Sequence, residues 1–191
     1  MTITTPPATH ERTRPASATP QRARSAPATP QRARLAVSSP IGTLVLEGSD
    51  DSLTDVVLPG SARASAVAAA AEDLAAAPRA LADAARQLGE YFAGERTTFE
   101  LSLRSEGTPF QREVWASLAA IPYGETISYA ELAASVARPQ AFRAVGSANG
   151  ANPLAIVIPC HRVITSSGSL GGYAGGLDAK RSLLELERVT L

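Results

Sequence analysis

The sequence predicts an α+β protein: a small N-terminal α/β domain, then a mostly helical C-terminal domain holding a helix-turn-helix and a lone cysteine. Three observations lead there. Two short β-rich runs, TLVLEG (43–48) and LTDVVL (53–58), flank the polar turn SDDS, which reads as a hairpin. An alanine-rich stretch over 61–94 spaces Leu74, Leu81, Leu88, Tyr91 and Phe92 as a helix does. From Thr108 three helical patterns follow, and Arg138-Pro139 separates the last two.

Residues 1–34 are Pro, Ala, Thr and Arg, with ATPQRAR at 18–24 and again at 28–34. Such a segment buries too little surface to offset its ordering entropy, so 1–34 reads as a disordered arm. Its six arginines face Glu11 alone, a bias that suits phosphate contact or a transit-like peptide as well as a plain solvated extension. Order is expected from near Leu35, and an N-terminal domain over 35–107. Pro78 interrupts or starts a helix there. The alternating run TFELSL (98–103) reads as a further strand.

A C-terminal domain spans 108–191. In TPFQREVWASLAAI, Phe110, Val114, Leu118 and Ile121 share one helix face, Thr108 can cap and Pro109 sits at the first helical position. PYGE (122–125) stops that helix. SYAELAASVA (128–137) starts with a capping box, Ser128 and Glu131. AFRAVGSANG (141–150) completes a helix-turn-helix pattern. Its surface is nearly all small, with Ala141, Ala144, Gly146, Ser147, Ala148, Gly150 and Ala151 around one long cation, Arg143. Such a face suits close helix packing or a narrow nucleic-acid groove.

Composition narrows the chemistry. The formal charge of the 191 residues is zero, but the arm is basic and 35–107 acidic. Cysteine occurs once and histidine twice, which excludes an intramolecular disulfide framework and the common zinc sites. A free thiol suits a reducing compartment, so the cytoplasm is expected. No apolar run reaches membrane-span length and no secretory core lies near Met1.

The chemistry gathers at AIVIPCHRVI (155–164). The apolar run 154–158 reads as a buried strand or its equivalent, and Pro159 ends it, leaving Cys160 at a turn. His161 is adjacent, Arg162 follows, and GSLGGYAGG (168–176) can form a pocket wall. Neighbouring side chains in a strand point to opposite faces, so Cys160 and His161 need a turn, helical geometry or a bridging water to cooperate. A histidine held by a carboxylate can draw the proton from a thiol, and a helix over 178–188 offers Glu185 and Glu187.

These residues carry a resemblance. IPCHRVI is similar to the active-site signature of the O6-alkylguanine-DNA alkyltransferases. IPYGETISYAELA, RAVGSANGANPLAIVIPCHRVI and GYAGGLDAKRSLLELE resemble that family in order and spacing, over 108–188, and SPIGTL fits the start of its N-terminal domain. GYAGG most resembles the bacterial constitutive type. The resemblance implies stoichiometric, irreversible transfer of an alkyl group from O6-alkylguanine, and also O4-alkylthymine, in double-stranded DNA to Cys160. His161 would act as base through a water and Glu187 would orient it. Asn152 matches the family's hinge asparagine, Tyr129 the tyrosine near the rotated phosphate, and Arg143 the arginine that replaces the flipped nucleotide. The DNA surface would further include Ala141, Ala144, Gly146, Ser147, Asn149 and Gly150. Tyr173, Ala174, Pro159 and Val163 would form the substrate pocket. Position 174 is alanine where some relatives have serine, so no side-chain donor is expected there. No cofactor, no metal, no membrane and a monomeric protein complete the expectation, with cooperative binding along DNA left open. Two other readings stay in play: a Cys–His hydrolase or acyltransferase, which would turn over, and a non-catalytic lesion binder or helix-turn-helix regulator.

Overall fold

The computed structural model describes residues 32–65 and 77–189. Most of the expected arm and the expected helical position Leu74 lie outside them. A three-stranded antiparallel sheet opens the fold, in the order β1 (Ala33–Val37), β2 (Leu44–Gly48), β3 (Leu53–Val57). The hairpin joins β2 to β3, pairing Val45 with Val57 and Leu46 with Val56. Strand β1 begins at Ala33, inside the segment read as an arm. Arg34 explains this, because it lies opposite Glu47 in the register and bonds it at 2.7 Å. Arg63 reaches the same buried carboxylate at 2.6 Å, so Glu47 leaves water with two cations.

Helix α1 (Arg79–Phe92) starts after Pro78 and buries Leu81, Ala84, Leu88 and Tyr91. The run 98–103 is not a strand; only Leu103 forms a bridge, with Leu53. At Glu100, in its middle, the backbone is claimed by a side chain instead. The Gln87 amide donates to Glu100 O and accepts from Glu100 N, both at 2.8 Å, and fills the groups a ladder would use.

Helix α2 (Pro109–Ala119) carries the expected Thr108 cap, completed by Gln111 as a capping box. The two-residue strand β4 (Ile127–Ser128) leads into α3 (Tyr129–Ser135), whose capping box joins Ser128 and Glu131. Helix α4 (Phe142–Gly150) forms the second half of the helix-turn-helix. Trp115 Nε1 donates to Ala148 O at 2.8 Å and docks α2 on α4. Strand β5 (Val163–Ile164) pairs in parallel with β4, and α5 (Leu177–Leu186) closes the chain. One apolar core runs from Leu35 and Leu46 through Leu88 and Trp115 to Leu183, so sheet and helices share an interior. Among the described residues, no helix is long and apolar enough to cross a membrane.

The run 154–158 is buried as expected but folds as a turn. Ile158 N donates to Leu154 O at 2.8 Å, and Ile156 sits at φ 72°, rare for a β-branched residue. Asn152 holds this turn from inside. Its Nδ2 donates to Ile158 O at 2.8 Å and its Oδ1 accepts from Leu154 N at 3.1 Å. Val56 N donates to Pro153 O at 2.8 Å, which fastens β3 to the same segment.

Candidate active site

Cys160 N donates to Ile158 O at 2.8 Å across Pro159, whose φ −81° and ψ 64° make an inverse γ-turn. A single 3₁₀ turn, Cys160–Arg162, follows. With about three residues per turn, it fans successive side chains apart rather than onto opposite faces. Cys160 therefore lines a cavity of about 600 Å³, while His161 and Arg162 both reach Glu187 behind it.

The cavity has three walls. Helix α4 supplies Arg143, Gly146, Ser147, Asn149 and Gly150; the loop before α5 supplies Gly172, Tyr173 and Ala174; Leu58 comes from just past β3. Tyr129 and Asn152 complete it near Cys160. Gly171, at φ +67°, lets the loop pass close to Tyr129: a Cβ there would lie 3.1 Å from the tyrosine oxygen. The Tyr173 hydroxyl is buried without a hydrogen-bond partner among the described residues.

Glu187 collects donors from four residues on three segments. Its Oε1 accepts from Tyr91 Oη at 2.7 Å, His161 Nε2 at 2.9 Å and Arg162 Nη2 at 2.8 Å. Its Oε2 accepts from Arg162 Nε at 2.8 Å and Gly124 N at 3.4 Å. Burial pushes this carboxyl up, but the hydrogen bonds and charges of His161 and Arg162 outweigh it and hold the group at about 2. An ionised carboxylate only accepts, so His161 Nε2 carries a proton and Nδ1 presents its lone pair. That Nδ1 is buried and has no hydrogen-bond partner among the described residues. Burial also depresses the histidine, which keeps it neutral at physiological pH and able to accept a proton.

Around the sulfur the influences oppose one another. Burial pushes the Cys160 thiol up, while the nearby Asn152 amide and the charge of Lys180 pull it down. Lys180 is fully buried, and its Nζ donates to Val163 O at 2.6 Å and to Leu170 O. Burial lowers its ammonium to about 8.

The structure brings Cys160, His161, Glu187, Asn152, Tyr129, Arg143, Tyr173 and Ala174 together. Glu185, the other candidate carboxylate, is exposed on α5. Two expected pocket residues sit elsewhere. Pro159 faces a second cavity, of about 500 Å³, with Phe99, Trp115 and Arg162, because the γ-turn sends its ring away from the sulfur. Val163 is fully buried, paired with Ile127 in the short parallel sheet. Asn149, expected on the DNA surface, is buried at the cavity wall instead, its Nδ2 lying 3.5 Å from Cys160 O. Ala144, Ser147 and Gly150 are exposed on α4, and Ala141 is half-buried at its start.

Comparison with known proteins agrees with this geometry. Residues 109–189 match the family model described as the DNA-binding domain of 6-O-methylguanine DNA methyltransferase. Residues 35–105 match the model of its ribonuclease-like domain. A methylated-DNA–protein-cysteine methyltransferase of Mycolicibacterium paratuberculosis is 53% identical over 150 residues, covering 78% of this chain and 88% of the relative. The chain belongs to the methylated-DNA–protein-cysteine methyltransferase family. A constitutive member from Bacillus subtilis is 56% identical over 111 residues, covering 58% of this chain and 67% of the relative. The crystal structure of Mycobacterium tuberculosis OGT in complex with DNA superposes with a TM-score of 0.71 at 46% identity, covering 81% of this chain and 92% of that one.

Sequence reasoning missed three groups of this methyltransferase-family site, Tyr91, Lys180 and Leu58, and gave Arg162 no role. Arg162 had a signal, since it adjoins His161, but its bidentate grip on Glu187 depends on the 3₁₀ turn. Lys180 lies on the predicted helix and reads as a solvated cation until burial is known. Tyr91 and Leu58 come from the other domain, and no local pattern links them to Cys160.

Proposed function

We propose that this chain repairs O6-alkylguanine in double-stranded DNA, and O4-alkylthymine as well, by moving the alkyl group once and irreversibly to Cys160. One observation carries the reading: the only cysteine lines a cavity walled by the second helix of the helix-turn-helix, with a His161–Glu187 pair behind it. Stacking hides the O6 substituent, so the base must leave the duplex to reach such a cavity. Small residues on α4 let its backbone approach a minor groove, and Arg143 at the cavity rim takes the place of the departed nucleotide.

In the cavity the thiol proton passes through a water to His161 Nδ1, whose ring is held by Nε2–H to Glu187. Asn152 and Lys180 favour the thiolate that results. An S–C bond forms as the C–O6 bond breaks, and its electron pair goes to the guanine. Backbone N–H groups of the Tyr173–Ala174 loop stabilise the charge developing at O6. The guanine takes up a proton, so thiol and alkylguanine become thioether and guanine. No group in the site cleaves a thioether, and each molecule acts once. No cofactor or metal enters these steps. A free thiol acceptor suits the reducing cytoplasm.

Intact-protein mass spectrometry with excess duplex carrying one O6-methylguanine tests this reading. Wild type should gain one methyl in place of a proton, mapped to Cys160, and then stop; Cys160→Ala should gain none. Lesion binding without mass gain by wild type would make it a damage sensor.

A further inference from the structure

We infer that Phe142 is a second DNA-contacting side chain, an apolar wedge that works beside Arg143 at the step from which the base is extruded; this rests on the function proposed above. Phe142 opens α4 and is 47% exposed, one of three large apolar side chains left in solvent among the described residues. Its place on the helix is informative. Phe142, Gly146, Asn149 and Gly150 recur at i, i+4, i+7 and i+8, so they share one face. The last three line the Cys160 cavity, and Phe142 stands one turn N-terminal to them, beyond the rim.

Two contacts sharpen the assignment. The Arg143 guanidinium lies 5.7 Å from the Phe142 ring centroid, so the rim arginine and the ring are associated before DNA arrives. Gly146, one turn along, lies against Tyr129, where a Cβ would come within 3.8 Å of the ring, so Phe142 is the one large side chain on this face of the helix. A face otherwise made of small residues gains nothing in solvent from one exposed phenyl ring. Against a duplex, an apolar ring beside a cation is the equipment used to part and replace stacked bases.

The test compares wild type, Phe142→Ala and Phe142→Trp in single-turnover transfer from an O6-methylguanine duplex and from the free O6-methylguanine base. Phe142→Ala should lose roughly tenfold in second-order rate on duplex, in line with the loss of one stacked aromatic. Its rate on the free base should equal wild type, and Phe142→Trp should keep the duplex rate. Equal duplex rates for wild type and Phe142→Ala would overturn the inference, and so would an equal loss on both substrates, which would mean that the ring shapes the cavity. If wild type itself transfers nothing, it is the proposed function that fails.

Discussion

The Tyr91 hydroxyl donates a 2.7 Å hydrogen bond to Glu187 Oε1 across 96 residues of sequence, so a helix of the first domain helps hold the carboxylate of the second. Both groups are buried, and Arg162 and His161 share the same carboxylate. Phenylalanine at position 91 removes one donor and leaves the others. Tyr91→Phe should lose about 1.5–3 kcal/mol of stability, the range for a hydrogen bond to a charged group. Urea denaturation measures it, and the second-order transfer rate should fall by less than about tenfold, since His161 keeps its partner.

Glu187→Gln should strike the chemistry harder than the fold of the cavity. The amide can donate to His161 Nε2, which favours the Nδ1–H tautomer and removes the lone pair proposed to take the thiol proton. Single-turnover transfer should slow by a factor on the order of 10² to 10⁴. Duplex affinity, read by fluorescence anisotropy, should stay near wild type because Glu187 is fully inside.

Stability should fall in acid in two stages. Glu187 is held at about 2 against an ordinary 4.5, so the stabilisation it lends is complete above 4.5 and is lost as pH falls toward 2. That contribution is on the order of 3 kcal/mol. His161 is depressed below its ordinary 6.5, so the unfolded chain binds the proton more readily and stability starts to decline as pH drops through 6.5. Urea midpoints from pH 7 to 3 check both stages, and Glu187→Gln should flatten the lower one.

Lys180→Met should leave the carbonyls of Val163 and Leu170 without their shared donor and remove a cation that favours the Cys160 thiolate. The expected cost is about 1–3 kcal/mol of stability for each orphaned buried acceptor. Iodoacetamide labelling of Cys160 as a function of pH should shift to higher pH in the variant.

Local signals foretold much of this. The hairpin, the Thr108 cap and the Ser128–Glu131 capping box depend on neighbours in sequence, and the structure has them; the family resemblance, not the helix register, singles out Glu187 over Glu185 as the partner of His161. Non-local bonding hid the rest. Alternation marks 98–103 as a strand, but the Gln87 amide takes the backbone groups of Glu100 in its middle. An apolar run at 154–158 cannot reveal that Asn152 folds it into a turn, nor that the turn at Pro159 aims that ring at another cavity. Strand β1 was obscured because its first residues share the composition of the arm, and its Arg34–Glu47 pair is visible only in the register.

The continuous core has a consequence for how the molecule comes apart. Leu58 walls the cavity, Val56 holds the segment before the cysteine, and Tyr91 reaches Glu187, so neither half owns a finished site. The two halves should melt together, in one calorimetric transition whose van't Hoff and calorimetric enthalpies agree. The boundary between them is a seam in sequence rather than in thermodynamics: a piece cut there would keep the cysteine and forfeit part of the framework that makes it reactive.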